Sequence, residues 1–135
     1  NANDIVEWGH SLLVGRPGTF AQRGANFAVQ TCDLYIGVGT RLSISQTGYN
    51  TNDYARNAQI IQVNIDQAEL EKGTLRDPIN VCMDSKEFIE QLNQVLVPAT
   101  LQWSGWTNRW KPWLEQCQKW KEKYPVCLPE YWNQE

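Results

Sequence analysis

The run Asp33-Leu-Tyr-Ile-Gly-Val-Gly-Thr-Arg-Leu42 constrains this chain more than any other stretch. Its first half is the continuous apolar segment expected of a parallel strand buried on both faces. Its second half, Gly37-x-Gly39-x-Arg41, strips side chains from the strand's C-terminal tip, where another backbone or a ligand can then come close. A second run, Ile60-Ile-Gln-Val-Asn-Ile65, is β-branched at Ile60, Ile61, Val63 and Ile65, and Ile79-Asn-Val-Cys-Met83 reads as a further strand. Segments of helical character separate these runs. Residues Arg23 to Cys32 suit a helix with Phe27, Ala28 and Cys32 available to the sheet. Asp66 with Glu69 has capping-box spacing ahead of a short helix. Asp84 with Glu87 repeats that spacing ahead of a helix to Val97, which carries Phe88, Ile89, Leu92, Val95 and Leu96 on one stripe.

This alternation predicts an α/β fold, a partial Rossmann-like parallel sheet flanked by helices, with 34–38 and 60–65 as adjacent central strands. Ser11-Leu-Leu-Val14 reads as a short strand before the turn Gly15-Arg-Pro-Gly18. Residues 43–57 read as a long polar connection with one helical turn near Asp53–Arg56. After Pro98 the character changes. Five of the seven tryptophans fall within 103–120, and Trp110, Trp113, Cys117, Trp120 and Tyr124 recur every three or four residues, the seam of one helix. Pro112 fits the first turn of that helix, Pro125 and Pro129 end it, and the seam is expected to fold back over 84–97 or to pair with a second copy. The chain thus divides into 1–97 and a Trp-rich linker and helix, 98–135.

With 135 residues, 41% of them hydrophobic and 20% charged, the chain is long enough for one core. A net charge of −3 gives no electrostatic reason to expect nucleic acid or an anionic membrane. No apolar run reaches the roughly 20 residues of a membrane span. Cys32, Cys82, Cys117 and Cys127 form no C-x-x-C pair and His10 stands alone, which argues against a zinc site. Cys32 and Cys82 read as small buried hydrophobes, the four thiols together as reduced thiols of a cytoplasmic protein. His10 reads as a surface residue.

Gly-Ala-Asn-Phe-Ala-Val-Gln at 24–30, Gly-Val-Gly-Thr-Arg at 37–41, Gln-Thr-Gly at 46–48 and Ile-Ile-Gln-Val-Asn-Ile-Asp-Gln-Ala-Glu at 60–69 occur in one order. In that order and spacing they resemble the central domain of thiamine-diphosphate-dependent enzymes, closest to acetolactate synthase and its relatives. The resemblance covers roughly 10–97 and, more loosely, the Trp-rich tail. It implies a DHS-like domain lacking its first strand and helix, placed between a pyrimidine-binding and a pyrophosphate-binding domain, in a parent that assembles as a homo-oligomer. Such parents use thiamine diphosphate and Mg2+ to cleave a 2-oxo acid such as pyruvate and pass the fragment to an acceptor. The glutamate and the Gly-Asp-Gly…Asn segment that serve this cofactor lie in the other two domains, so the resemblance implies no catalytic residue here. It does imply an FAD-type site at Gly18, Gly39, Thr40, Arg41 and Asp66, kept for flavin or kept only as scaffold.

The residues admit other roles. Arg41 can pair with a phosphate, with loop carbonyls or with an acidic partner, and Asp66 can accept from a ribose or adenine group. Arg16 and Arg23 face the diphosphate end of a ligand, a neighbouring domain, or solvent. Glu69 and Glu87 sit where a capping role outweighs acid catalysis. The alternatives to a domain of such an enzyme are a freestanding FAD- or NAD-binding module and an interaction domain that works through its tryptophan face.

Overall fold

Three parallel strands, β1 (Leu34–Val38), β2 (Gln59–Asn64) and β3 (Ile79–Cys82), form one sheet in the order β1-β2-β3. The register sets Tyr35 beside Ile60, Gly37 beside Gln62, and Val63 beside both Val38 and Val81. This is a computed structural model, and it describes residues 5–102, 106–127 and 130. The helices are α1 (Arg23–Thr31), α2 (Ile44–Thr47), α3 (Gln67–Glu71), α4 (Ser85–Gln102) and α5 (Trp106–Lys123), with a 3-10 turn at Thr51–Asp53. The parallel pairing and the adjacency of the first two strands are as the sequence predicts. Among the described residues only β2 is central, because β1 pairs on one side alone.

One face of the sheet carries Tyr35 and Ile60 into the core, with Leu42, Tyr54, Ala55, Ala58 and Leu75 packed around them and Val29 and Cys32 of the α1 end against them. On the same face, Gln62 Nε2 reaches the carbonyl of Glu69 (3.4 Å) and Asn80 Nδ2 that of Leu70 (3.1 Å), which fixes α3 over β2 and β3. The other face carries Leu34, Ile36, Val38, Ile61, Val63, Ile79 and Val81. α4 meets β2 there and Val63 is fully buried, yet Leu34, Ile36 and Ile79 stay open.

Several expectations give way, each for a local reason. Residues 11–14 form no strand: Gln118 of α5 binds the carbonyl of Ser11, and Lys121 those of Trp8 (3.1 Å) and Leu13 (2.9 Å), so the segment is strapped along α5 instead. The 43–57 connection holds α2 and the turn at Thr51–Asp53 rather than a turn at 53–56. Helix α4 runs past Val97 and through Pro98 to Gln102, because the carbonyl that Pro98 cannot serve, that of Gln94, lies on an exposed face. Pro112 likewise sits in the second turn of α5, not the first. Pro129 lies outside the described residues. Phe27 turns away from the sheet, its ring centroid 5.7 Å from that of Trp120 and 5.5 Å from that of Tyr124. The seam of α5 therefore docks on α1, not on 84–97, and most of the α4 stripe stays exposed, with only Phe88 and Leu92 half-buried. Of the thiols it is Cys117, within that seam, that is buried, whereas Cys82 on the edge strand β3 is exposed.

Candidate functional site

The C-terminal tips of β1 and β2 gather the residues singled out in the sequence. Gly39 donates its amide to the carbonyl of Val63 (2.9 Å) and turns the chain at φ +60°. A Cβ there would lie 2.7 Å from Ser85 Oγ at the start of α4, so the close approach that this glycine permits is made by the protein itself. Thr40 follows, its carbonyl accepting from Asn64 Nδ2 (3.4 Å) at the tip of β2. Leu42, fully buried at φ +47°, holds a strained turn that swings Arg41 outward.

Arg41 and Asp66 come together on the outer side of this turn, and both are occupied. Glu69 Oε1 accepts from Arg41 Nε (3.0 Å) and Nη2 (2.7 Å). Lys72 Nζ reaches Glu69 Oε2 (2.6 Å) and also the carbonyl of Arg41. Hydrogen bonds from Lys72 and then Arg41 hold the Glu69 carboxyl below its ordinary range, and Glu69 in turn raises the Arg41 guanidinium, with Asp66 adding to it. Asp66 Oδ1 accepts from the amide of Ala68 (2.9 Å), capping α3. Glu69 does not reach back as a capping box would, since its carboxylate is spent on the two cations. Glu87 likewise accepts from Gln91 Nε2 (3.0 Å) rather than closing a box.

Gly18 joins from the other side. Its amide donates to Asn26 Oδ1 (2.8 Å) and its carbonyl accepts from Asn26 Nδ2 (2.9 Å), while the Thr19 amide bonds the carbonyl of Ser45 (2.8 Å). A Cβ on Gly18, at φ +142°, would fall 2.6 Å from that same carbonyl. Gln46 then links the Gly18 loop to the strand tip. Its Oε1 accepts from Thr40 Oγ1 (3.3 Å), its Nε2 lies 3.5 Å from the Tyr54 hydroxyl, and Tyr54 donates to Tyr35 (3.2 Å). Burial raises both phenols above their ordinary value, well above it at Tyr35, where the neighbouring phenol contributes further.

Sequence reasoning passed over Gln46 as a chemical group, and also Asn26 and Gln30. These three, with Gly18, Thr19 and Tyr54, line a cavity of about 250 Å3 in which Gln30 Oε1 has no hydrogen-bond partner among the described residues. Their only available signal was their place inside the quoted motifs. His10 is exposed, its Nδ1 accepting from the Leu12 amide (3.2 Å). Among the described residues no cluster of three His, Cys, Asp or Glu side chains suits a metal ion, and no helix is long and apolar enough to cross a membrane. The tip is thus a satisfied polar junction. A flavin phosphate would share Arg41, whose side chain is largely exposed, with Glu69, and a ribose would compete with the α3 cap for Asp66.

Comparison with known proteins places this junction in a family. Residues 1–92 match the family described as thiamine pyrophosphate enzyme, central domain. The acetolactate synthase large subunit of Cyanidium caldarium is 34% identical over 118 residues, 87% of this chain and 20% of that protein. Acetolactate synthase isozyme 2 large subunit of Escherichia coli (strain K12) is 42% identical over 67 residues, 50% of this chain and 12% of that protein. A probable sulfoacetaldehyde acetyltransferase of Rhizobium meliloti (strain 1021) is 32% identical over 99 residues, 72% of this chain and 17% of that protein. The chain spans about a fifth of the length of these curated relatives or less. By that match over residues 1–92, with which the parallel order β1-β2-β3 agrees, the chain belongs to the central-domain family of thiamine pyrophosphate enzymes.

Proposed function

We propose that this chain serves as the central structural domain of a thiamine-diphosphate-dependent, acetolactate-synthase-like enzyme that decarboxylates a 2-oxo acid such as pyruvate and ligates the remaining fragment to an acceptor. The observation that carries the reading is the family match over residues 1–92, and the strand-tip junction supports a structural role, since Gly39, Thr40 and Asp66 are each engaged by the protein's own atoms. Thiamine diphosphate with Mg2+ supplies the electron sink for such chemistry when bound to neighbouring domains. What this chain contributes is a rigid α/β body that holds those domains apart at fixed geometry. Residues 1–97 form the domain proper and 98–135 lead onward, a division supported by a family match that stops at residue 92. Gly18, Gly39, Thr40, Arg41 and Asp66 constitute an FAD-type site retained as scaffold, a reading supported by the Arg41–Glu69 pair and the Asp66 cap.

The partners of this domain are the pyrimidine- and pyrophosphate-binding domains of the parent and a second parent subunit. The open apolar residues Leu34, Ile36 and Ile79 on the sheet, and Ile89 and Val95 on α4, support such covering. The free thiols Cys32, Cys82 and Cys117 support a cytoplasmic setting. Similarity to proteins with different names, a synthase subunit and a probable acetyltransferase, supports a role that does not choose the parent's reaction.

The test compares the 135-residue chain with the longer protein that contains it, both given pyruvate, thiamine diphosphate and Mg2+. The longer protein should form acetolactate and the chain alone none, and FAD added to the chain should keep its free fluorescence. Acetolactate made by the chain, or flavin quenched on it, overturns the scaffold reading. A longer protein that consumes no 2-oxo acid overturns the assigned chemistry.

A further inference from the structure

Strand β1 lies at one edge of the sheet, and its ladder shows which of its polar groups are left over. The Gln59 amide donates to the carbonyl of Asp33 (2.8 Å) at one end, and the Gly39 amide to that of Val63 (2.9 Å) at the other. Between them the register runs unbroken from Leu34 beside Gln59 to Val38 beside Val63. Alternation along a parallel ladder therefore turns the amides and carbonyls of Tyr35 and Gly37 toward β2, and those of Leu34, Ile36 and Val38 away from it. No described residue hydrogen-bonds these outward groups.

Nothing within β1 guards this edge. Sheet edges that stay single are blunted by a charge, a proline or a bulge. The opposite edge, β3, has Asp77 and Pro78 just before it and Asp84 just after it. Strand β1 reads Leu-Tyr-Ile-Gly-Val, with no charge and no proline, and pairs with β2 without a bulge. Leu34 and Ile36 stay open on the face beside the edge. Charge marks only the two ends of the strand. Asp33 precedes it, exposed, and Arg41 follows it, its side chain 81% exposed even while paired with Glu69.

We propose that the outer edge of β1 pairs with β1 of a second copy of this chain, antiparallel about a two-fold axis at Ile36. In that register Ile36 faces Ile36 of the second copy and Leu34 faces Val38 of the second copy, so every outward amide and carbonyl meets its complement. The side chains agree with the backbone. On the open face the apolar Leu34, Ile36 and Val38 meet only one another, and on the core face Tyr35 falls beside Gly37 of the second copy, which has no side chain to oppose the ring. The charges agree as well: Asp33 of each copy lies toward the Arg41 end of the other, whereas a parallel pairing would set Asp33 against Asp33. A two-fold edge contact closes on itself, so assembly stops at two copies. The strand is short and the interface falls below standard size, which sets association in the micromolar range. The inference goes beyond the enzyme reading above and needs no turnover to test, so the two stand or fall separately.

Sedimentation of the full 135-residue chain over a concentration series tests it. The native chain should pass from monomer to dimer as concentration rises. Ile36→Lys sets like charges against each other at the axis and should weaken the dimer by about tenfold or more, and so should Ile36→Glu. An equimolar mixture of the two variants should recover the dimer, because opposite charges then meet across the axis, and a merely structural role of Ile36 would give no such recovery. Circular dichroism checks that each variant is folded. Should either charged variant at Ile36 unfold, Leu34→Lys at the more exposed start of the strand carries the same expected loss. A native chain that stays monomeric at millimolar concentration, a dimer undiminished by Ile36→Lys or by Leu34→Lys, or folded variants that remain monomeric when mixed overturns the proposal.

Discussion

Glu69 is the residue on which the strand-tip junction turns. Its carboxylate joins Arg41 from the β1 tip to Lys72 from the end of α3, and so ties two connections that share no backbone hydrogen bond. The sign of its pH dependence follows from the direction of its shift. The folded pKa is depressed, so the stabilisation is present above the ordinary value of 4.5 and is lost as pH falls through the lower folded value. Thermal melts of the native chain should therefore drop more steeply with acid below about pH 4.5 than melts of Glu69→Gln, and the two curves should converge at low pH. Parallel curves would mean that the pair contributes nothing. The tip residues themselves were legible in the sequence, since Gly39, Arg41 and Asp66 mark strand ends and a helix start by local chemistry alone. The partner of Arg41 was not, because Glu69 lies 28 residues away and its capping-box spacing pointed elsewhere. Nor does anything local announce that Leu42 is held at positive φ; the packing around its buried side chain does that.

The contact between α1 and α5 shows how an element's face can be legible while its partner is not. The spacing of Trp110, Trp113, Cys117, Trp120 and Tyr124 defines a seam, of which Cys117 is buried, Trp113, Trp120 and Tyr124 are half-buried and Trp110 stays exposed, with Trp113 and Trp120 at 5.9 Å and nearly perpendicular. Which helix receives it depends on Gly24, a residue whose meaning appears only in three dimensions. A Cβ on Gly24 would stand 3.2 Å from the backbone carbon of Trp120 and 3.3 Å from the Lys121 nitrogen. Two effects oppose each other in Gly24→Ala. Helix propensity would stabilise α1 by about 0.5–1 kcal/mol, while forcing a helix backbone outward costs about 1–3 kcal/mol. The obstruction is main chain rather than a flexible side chain, so the steric cost wins, and denaturant unfolding should show a net loss of about 1 kcal/mol. A variant more stable than the native chain would show that the two helices are free to separate. The two prolines misled for a related reason. Pro98 and Pro112 read as boundaries by local rule, yet both stand on exposed faces where water can satisfy the carbonyl that proline leaves unpaired.

At the scale of the molecule, the fold is covered on one side and open on the other. The face bearing Tyr35 and Ile60 has its lid of α1, α3 and the 42–58 connection, and α5 closes over α1. The opposite face leaves Leu34 and Ile36 on β1 and Ile79 on β3 about 40–50% exposed, and α4 presents Ile89 at 48% and Val95 at 69%. The apolar stripe of α4 was legible in its periodicity, but a periodicity cannot say whether a stripe is covered by this chain or by another. The exposure predicts a separation of effects. Ile89→Glu with Val95→Glu replaces side chains that are half or more exposed and places a good helix former at each position on α4, so the melting temperature of the chain should move by no more than about 1 kcal/mol of stability would. The same pair should sharply reduce binding of a hydrophobic dye and lower self-association in sedimentation. In the longer parent, where neighbouring domains are proposed to cover this surface, two buried glutamates without partners should instead impair assembly. A chain strongly destabilised by the double substitution would mean that α4 already buries its outer face within these 135 residues, and the proposed covering by other domains would lose its basis.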